Sequence, residues 1–210
     1  LGYTVLAFPY GIDVNPKDGS IWYAKLYANR IGRIDAKTLE ITEYETPLAG
    51  PRRPRFDANG IFWIPSFDEG ALMRFDPVTA KFESYKVPGV APGEYETPYA
   101  LNVYRPTGEV WMAANNSDRI LRFSPATKTF RSYPSPTRVT FLRDFSFTKD
   151  GRVCSSHSNL PAYAIEGAVP AYICVDPEGG DRGGKVSPKG TSPASRRDHV
   201  TSSTVPALQP

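Results

Sequence analysis

Residues 20 to 47 read SIWYAKLYANRIGRIDAKTLEITEYETP, and this stretch sets the pattern for most of the chain. It holds three short apolar or aromatic runs separated by turn residues, which is typical of successive β-strands. The pattern recurs, because a tryptophan follows a turn glycine at Trp22, Trp63 and Trp111. A period of about 40 to 50 residues made of short strands predicts a β-propeller with one four-stranded blade per repeat.

The repeats predict an all-β fold in which about four blades occupy residues 1–177. The blades are expected at residues 9–47, 51–88, 98–136 and 141–177. Pro51 and Pro54 predict a poorly formed inner strand in the second blade, because each proline removes a backbone donor. Four blades of this type leave a ring open, with exposed strand edges, so the chain is interpreted as part of a longer propeller.

The two ends of the chain differ from the repeats. Residues 1–8 are predicted to form either the outer strand of a preceding blade or a frayed end. Residues 178–210 are rich in glycine, serine, proline and charge, and bury too little to offset the entropy of ordering. We therefore expect a flexible tail without regular structure. The absence of an initial methionine and of a signal peptide indicates a processed form or a fragment.

Charge and hydropathy exclude two classes of partner. The formal net charge is only +3 and falls mostly in the tail, so the repeats lack the basic patch of a nucleic-acid-binding protein. No apolar run is long enough to span a bilayer. The remaining partners are a small molecule or glycan on the loop rim, or a protein. The compartment stays open, with a periplasmic or secreted location favoured over the cytoplasm.

Cys154 and Cys174 fall on strands that the repeat places side by side. A disulfide between them requires both side chains to face the same side of the sheet. Cys154 occupies the position that holds tryptophan in earlier repeats, which is typical of a buried thiol. Both readings stay open, and we favour unpaired cysteines.

Four segments of the first blade resemble the repeat of the virginiamycin B lyase (streptogramin lyase) family. They are PYGI at 9–12, IWYA at 21–24, NRIGRID at 29–35 and ITEY at 41–44. The resemblance covers most of residues 9 to 177 and extends to the NHL and SMP-30-like propellers. It implies a seven-bladed enzyme, a lyase that opens a macrocyclic lactone by elimination, with a divalent cation such as Mg²⁺ held near histidine and glutamate.

The positions that carry the family's chemistry hold other residues here. In the family, a histidine follows the proline of an inner strand and a glutamate ends the tryptophan run. The positions that match the histidine hold Tyr10 and Tyr99 and, more loosely, Pro51 and Leu142. The positions that match the glutamate hold Lys25, Ser66, Ala114 and His157. No metal ligands are therefore predicted and no cofactor is evident, although Mg²⁺ follows from the resemblance. The alternative to a lyase is a non-catalytic propeller that binds a ligand on its loop rim.

The candidate site residues come from loops that a propeller gathers on one rim. His157 is a candidate general base, with Asp144 and Glu166 as companions. Its alternative role is a hydrogen bond to the loop that follows it. The candidate substrate-binding residues are Tyr10, Lys25, Arg55, Tyr99, Asn115 and Arg143. The arginines at 52–55 either bind a carboxylate or phosphate or pair with neighbouring acids, and residues 115–117 match an N-glycosylation acceptor.

Overall fold

The computed structural model describes residues 7–135, 140–157, 171–179 and 203–206. These residues form antiparallel β-sheets, with one short 3-10 turn at Leu26–Ala28. The strands, in chain order, are β1 Pro9–Val14, β2 Ile21–Lys25, β3 Arg30–Ile34, β4 Ile41–Glu45, β5 Arg55–Phe56, β6 Phe62–Ser66, β7 Ala71–Asp76, β8 Lys81–Lys86, β9 Pro98–Tyr104, β10 Glu109–Ala114, β11 Arg119–Ser124, β12 Thr129–Pro134, β13 Ser146–Phe147, β14 Val153–His157, β15 Ala171–Val175 and β16 Ser203–Pro206.

Each sheet is a meander in which neighbours in sequence are neighbours in space. The strand orders are β1-β2-β3-β4, β5-β6-β7-β8, β9-β10-β11-β12-β16 and β13-β14-β15, where β16 adds to the outer edge of the third meander. The predicted all-β propeller with four blades is confirmed. The inner strand of the second blade is short, as the prolines predicted, since its continuous pairing with β6 is limited to Arg55–Phe56, with one isolated bridge from Pro51 to Ser66.

Three apolar clusters fill the three interfaces between consecutive blades. Trp22 packs with residues of the second blade, Trp63 with residues of the third, and Trp111 with residues of the fourth. Each tryptophan lies on the second strand of its sheet and is 1% exposed. The repeated tryptophan is therefore the residue that joins one blade to the next, because its ring fills the space between two sheets.

The three indole N–H groups differ in their partners. Trp22 donates to Ser20 Oγ at 2.8 Å, and Trp63 donates to the Asp57 carboxylate at 3.1 Å. The Trp111 Nε1 atom is buried and has no hydrogen-bond partner among the described residues. Tryptophan thus occupies the same position in three blades, although the indole N–H has a different environment in each.

The tail differs from expectation at one place. Ser203–Pro206 forms β16 and pairs with β12 at the outer edge of the third blade. The prediction of no regular structure after residue 178 was wrong for these four residues. An outer strand such as β12 presents unpaired backbone groups, to which a further segment adds by ordinary ladder hydrogen bonds. The expectations for residues 1–6 and for the rest of the tail lie outside the described residues.

Cys154 and Cys174 form a disulfide, so the preference for unpaired thiols was wrong. The antiparallel register of β14 and β15 sets the two residues directly opposite each other, with their Cα atoms 4.0 Å apart. Directly opposed residues point to the same face of a sheet, which is the geometry that a bridge needs. Sequence spacing alone did not reveal this register.

No helix in the described part of the chain is long and apolar enough to cross a membrane.

Candidate functional site

Five side chains from the inner segments of all four blades meet at one place. We call this set the inner cluster, and its members are Tyr10, Arg52, Arg53, Tyr99 and Arg143. Tyr10 lies near the start of β1 and Tyr99 near the start of β9, while the arginines precede β5 and β13. A propeller brings the inner strands of its blades toward a common axis, which explains how residues up to 133 positions apart in sequence come together.

A β-bulge places each of the two tyrosines. The register of β1 with β2 shifts between Pro9 and Ile12, and the register of β9 with β10 shifts over the same span of the third blade. Each bulge therefore spans a Pro-Tyr pair at the start of an inner strand. A bulge changes the direction of a side chain from the regular alternation between the two faces of the sheet. The bulge occurs at the same position in both blades.

Gly11 lets the second blade approach this bulge. A Cβ atom at Gly11 would lie 2.4 Å from the carbonyl oxygen of Arg52 and from Pro54 Cδ. Such a separation is far inside van der Waals contact, so any other residue would push the segment away. The glycine thus holds Arg52 and Arg53 beside β1.

The hydroxyl groups of Tyr10 and Tyr99 share a hydrogen bond. Arg143 Nη1 donates to the Tyr99 hydroxyl oxygen at 2.5 Å, and Arg53 Nη1 donates to the carbonyl of Arg143 at 3.0 Å. Tyr99 is 2% exposed, whereas Tyr10 is 37% exposed. The Tyr10 hydroxyl is therefore the end of this chain of hydrogen bonds that is open to a ligand.

The guanidinium of Arg52 lies on aromatic faces. It is 3.7 Å from the Phe67 ring centroid and 5.2 Å from that of Tyr99. Among the described residues, neither Arg52 nor Arg53 forms an ion pair with a carboxylate, and the buried Arg52 Nε has no hydrogen-bond partner. Arg52 and Arg53 therefore bring positive charge to the inner cluster without an ion pair to a described carboxylate, which favours an anionic ligand.

The surroundings move the two phenol pKa values in opposite directions. Burial alone would raise the pKa of Tyr10, but its hydrogen bonds with Tyr99 and Arg53 and the charges of Arg53 and Arg52 outweigh burial and lower it. Burial and the hydrogen bond with Tyr10 raise the pKa of Tyr99, against the Arg143 charge. Tyr10 is therefore the phenol of the pair that loses its proton more easily.

The predicted catalytic residues are not brought together by any contact that the structure describes. The Asp144 carboxylate accepts a hydrogen bond from Arg55 Nη2 at 2.8 Å, which forms an ion pair between the second and fourth blades. His157 is the last residue of β14, and its backbone pairs with Ala171. Glu166 lies outside the described residues. The catalytic role of these three residues stays a prediction.

The predicted substrate-binding residues divide into two groups. Tyr10, Tyr99 and Arg143 belong to the inner cluster, and Arg55 lies beside it in the ion pair with Asp144. Lys25 lies apart, and its ammonium pairs with Glu43 at 2.9 Å within the first blade. Asn115 has a buried amide whose two polar atoms have no partner in the described part of the chain. Because its Nδ2 atom is buried, Asn115 does not fit a glycan acceptor.

Arg52 and Arg53 belong to the inner cluster, but the predicted set left them out in favour of Arg55. A usable signal was present, since Arg52 follows Pro51 as Tyr10 follows Pro9 and Tyr99 follows Pro98. The equivalent position was assigned to the proline itself, one residue too early. Two prolines in this segment remove the strand alternation from which orientation is normally read.

The inner cluster does not fit the divalent cation that the resemblance implied. Its polar groups are phenols and guanidiniums, and guanidinium groups repel a cation and have no lone pair to donate. Mg²⁺ instead prefers carboxylate and water oxygens. Among the residues that the structure describes, no group of three or more histidine, cysteine or acidic side chains is placed to hold a metal.

Comparison with solved structures gives the same architecture. No family model matches the sequence, and no curated protein does. A streptogramin B lyase structure matches with a TM-score of 0.64 at 21% identity, over 75% of this chain and 50% of that chain. A catalytically inactive virginiamycin B lyase from Staphylococcus aureus, with quinupristin, matches with a TM-score of 0.64 at 25% identity, over 76% and 52%.

A more distant match is an extracellular domain of a one-component system from B. thetaiotaomicron. Its TM-score is 0.56 at 13% identity, and the match covers 69% of this chain and 19% of that chain. The chain spans about half the length of the lyase structures that it matches. Its fold is that of the virginiamycin B lyase-like propellers.

Proposed function

We propose that this propeller binds a small organic anion at the inner cluster. The observation that carries the proposal is the convergence of Arg52 and Arg53, without a carboxylate partner among the described residues, onto aromatic rings at the inner ends of the blades. A guanidinium fork binds a carboxylate with two parallel hydrogen bonds. The surrounding rings offer apolar faces to the rest of the ligand. A carboxylate on a planar or aromatic body suits both features.

A lyase acting on a cyclic ester is the second candidate function. It is supported by the likeness to streptogramin B lyase, whose fold this chain shares over about half of that protein's length. The positions that match the family's histidine and glutamate hold other side chains, and the inner cluster does not suit a divalent cation. Binding therefore has the stronger support from the residues themselves.

The disulfide supports a location outside the reducing cytoplasm. Disulfides form and persist in secreted and periplasmic proteins and are rare where thiols are kept reduced. The Cys154–Cys174 bridge thus favours an exported protein, in keeping with the extracellular domain among its structural neighbours. An exported binding propeller would meet small anions or glycan fragments in the surrounding medium.

The binding proposal is tested with benzoate as the probe and benzamide as its uncharged counterpart. Titration calorimetry and thermal unfolding should show binding of benzoate and stabilisation by it, and neither for benzamide. Arg52→Gln should abolish the effect, because it removes the charge while keeping a polar side chain. The control is Arg74→Gln, whose exposed guanidinium pairs with Glu83 on the neighbouring strand. Equal responses to benzoate and benzamide, or an undiminished response in Arg52→Gln, would overturn the proposal.

A further inference from the structure

The second blade receives the first blade on a row of apolar side chains. The strand register sets one phenylalanine from each of its four strands side by side: Phe56, Phe62, Phe75 and Phe82. Trp22 of the first blade packs on this row, and its ring centroid lies 5.6 Å from those of Phe62 and Phe75. One face of a blade therefore offers an apolar row, and the preceding blade covers it.

The third and fourth blades repeat this arrangement. Their rows consist of Val103, Val110, Phe123 and Phe130 in the third blade and of Phe147, Val153 and Val175 in the fourth. Trp63 lies on the row of the third blade, 5.7 Å from the Phe123 ring centroid, and Trp111 packs in one cluster with the row of the fourth. All three contacts between consecutive blades thus use the same two kinds of face.

The first blade has the same row without a blade in front of it among the described residues. Its register sets four β-branched side chains side by side: Val14, Ile21, Ile34 and Ile41. Ile21 directly precedes Trp22, just as Phe62 precedes Trp63. Val14 is 51% exposed and Ile41 is 62% exposed, whereas Phe62 is fully buried. An exposed contiguous apolar row of this kind marks an interaction surface.

The fourth blade leaves the opposite kind of face open. Cys154 and Cys174 pair across β14 and β15 as Trp111 and Arg122 pair across β10 and β11, so the disulfide stands where other blades carry tryptophan. Tyr172 lies on the same face as Cys174, because side chains two residues apart along a strand point the same way, and it is 66% exposed. This face therefore presents an uncharged bridge and a phenol ring.

We propose that two copies of this chain join head to tail, with the apolar row of the first blade of each copy packed on the disulfide face of the fourth blade of the other. One chain supplies four blades, so two copies supply about eight, which lies within the range of closed propellers. A two-fold axis relates the two contacts, as in most dimers of identical chains. Closure of the ring covers both open faces, and it concerns a surface separate from the inner cluster.

The test measures the mass of the full chain by sedimentation velocity and light scattering over a range of concentrations, without reducing agent. The wild type should reach twice the mass of one chain. Val14→Glu should raise the dissociation constant of the dimer by more than about 100-fold, because it buries an unpaired carboxylate in both contacts. The control is Val78→Glu, since Val78 is 94% exposed between β7 and β8, and its dimer should equal that of the wild type.

A second variant tests the contact from the fourth blade. Tyr172→Glu should also give a monomer, whereas Tyr95→Glu, at an exposed tyrosine between β8 and β9, should leave the dimer intact. A mixture of Val14→Glu and Tyr172→Glu should dimerise again, because one of its two contacts then has both natural faces. Far-ultraviolet circular dichroism checks that each variant is folded. If Val14→Glu does not fold, Ile41→Glu takes its place at the other end of the row.

Three results would overturn the proposal. A wild-type chain that stays a monomer at every concentration leaves the row to another occupant, such as a further blade of a longer protein. A dimer that persists in folded Val14→Glu uses a different surface. A dimer that is lost in Val14→Glu and kept in Tyr172→Glu, or a mixture of the two variants that stays monomeric, shows that the contact does not join the first blade to the fourth.

Discussion

Replacing Trp63 and Trp111 by phenylalanine should have unequal effects, although both side chains are 1% exposed and lie between blades. The loss of ring volume is common to the two variants. Trp63→Phe also removes the hydrogen bond to the Asp57 carboxylate, which is 6% exposed, and such a bond to a charged group contributes about 1.5 to 3 kcal/mol. Trp111→Phe removes a buried donor without a partner, a group that costs about 1 to 3 kcal/mol. The unfolding free energy of Trp63→Phe should therefore lie about 3 kcal/mol below that of Trp111→Phe.

Urea unfolding followed by far-ultraviolet circular dichroism measures this difference without relying on tryptophan fluorescence. Trp22→Phe is an intermediate case, because its indole donates to the neutral Ser20 hydroxyl. The slopes of the unfolding transitions should agree among the variants, so that midpoints can be compared. Equal destabilisation by Trp63→Phe and Trp111→Phe, or the reverse order, would refute the assignment of these polar partners.

Four further predictions concern other parts of the chain. Arg119→Met should cost about 3 to 5 kcal/mol because it leaves the buried carboxylate of Glu96 uncompensated, whereas Arg74→Met, at an exposed pair, should cost about 0 to 1 kcal/mol; urea unfolding compares them. Backbone donors and Arg33 lower the pKa of Asp35 to about 2. Ionised Asp35 therefore stabilises the folded state fully above the unfolded pKa of about 3.9, and this stabilisation is lost as the pH falls through about 2. The Asp35→Asn variant should accordingly lose less stability than the wild type over that pH range in acid unfolding. Reduction of the disulfide, whose cysteines are 20 residues apart, should lower the unfolding free energy by about 3 kcal/mol, and an unchanged urea midpoint would contradict this. Streptogramin B with added magnesium should not be opened by this chain; turnover that requires magnesium and disappears in His157→Ala would place a lyase site on the fourth blade.

The fold was predictable because each blade repeats the same local signals. A turn glycine, a tryptophan on the following strand and a closing tyrosine fix the order of strands, and each strand pairs with its neighbour in sequence. The pairing of Cys154 with Cys174 was not predictable, since it depends on the register of two strands separated by a long connection. The strand in the tail was also missed, because its pairing follows from a free edge on the third blade and not from its own sequence.

The candidate site was predictable only in part. Tyr10 and Tyr99 were singled out by their positions after prolines, and the structure brings their hydroxyls together. Sequence alone gives Tyr10 the ordinary tyrosine pKa of about 10, whereas in the structure groups from other blades lower the pKa of Tyr10. Arg52 was missed in favour of Arg55 because the prolines of this segment interrupt the strand alternation from which the orientation of a side chain is read. Contacts between blades decide these properties, and a single repeat does not encode them.

The most direct test of the anion site is the Nε–H resonance of Arg52, measured by nuclear magnetic resonance during a titration with benzoate. This nitrogen is buried and has no partner in the described part of the chain, so a carboxylate bound at the inner cluster should give it one. The account predicts a saturable change in the Arg52 Nε–H shift, and none with benzamide. An Arg52 resonance that stays in place while resonances elsewhere in the protein move would contradict it.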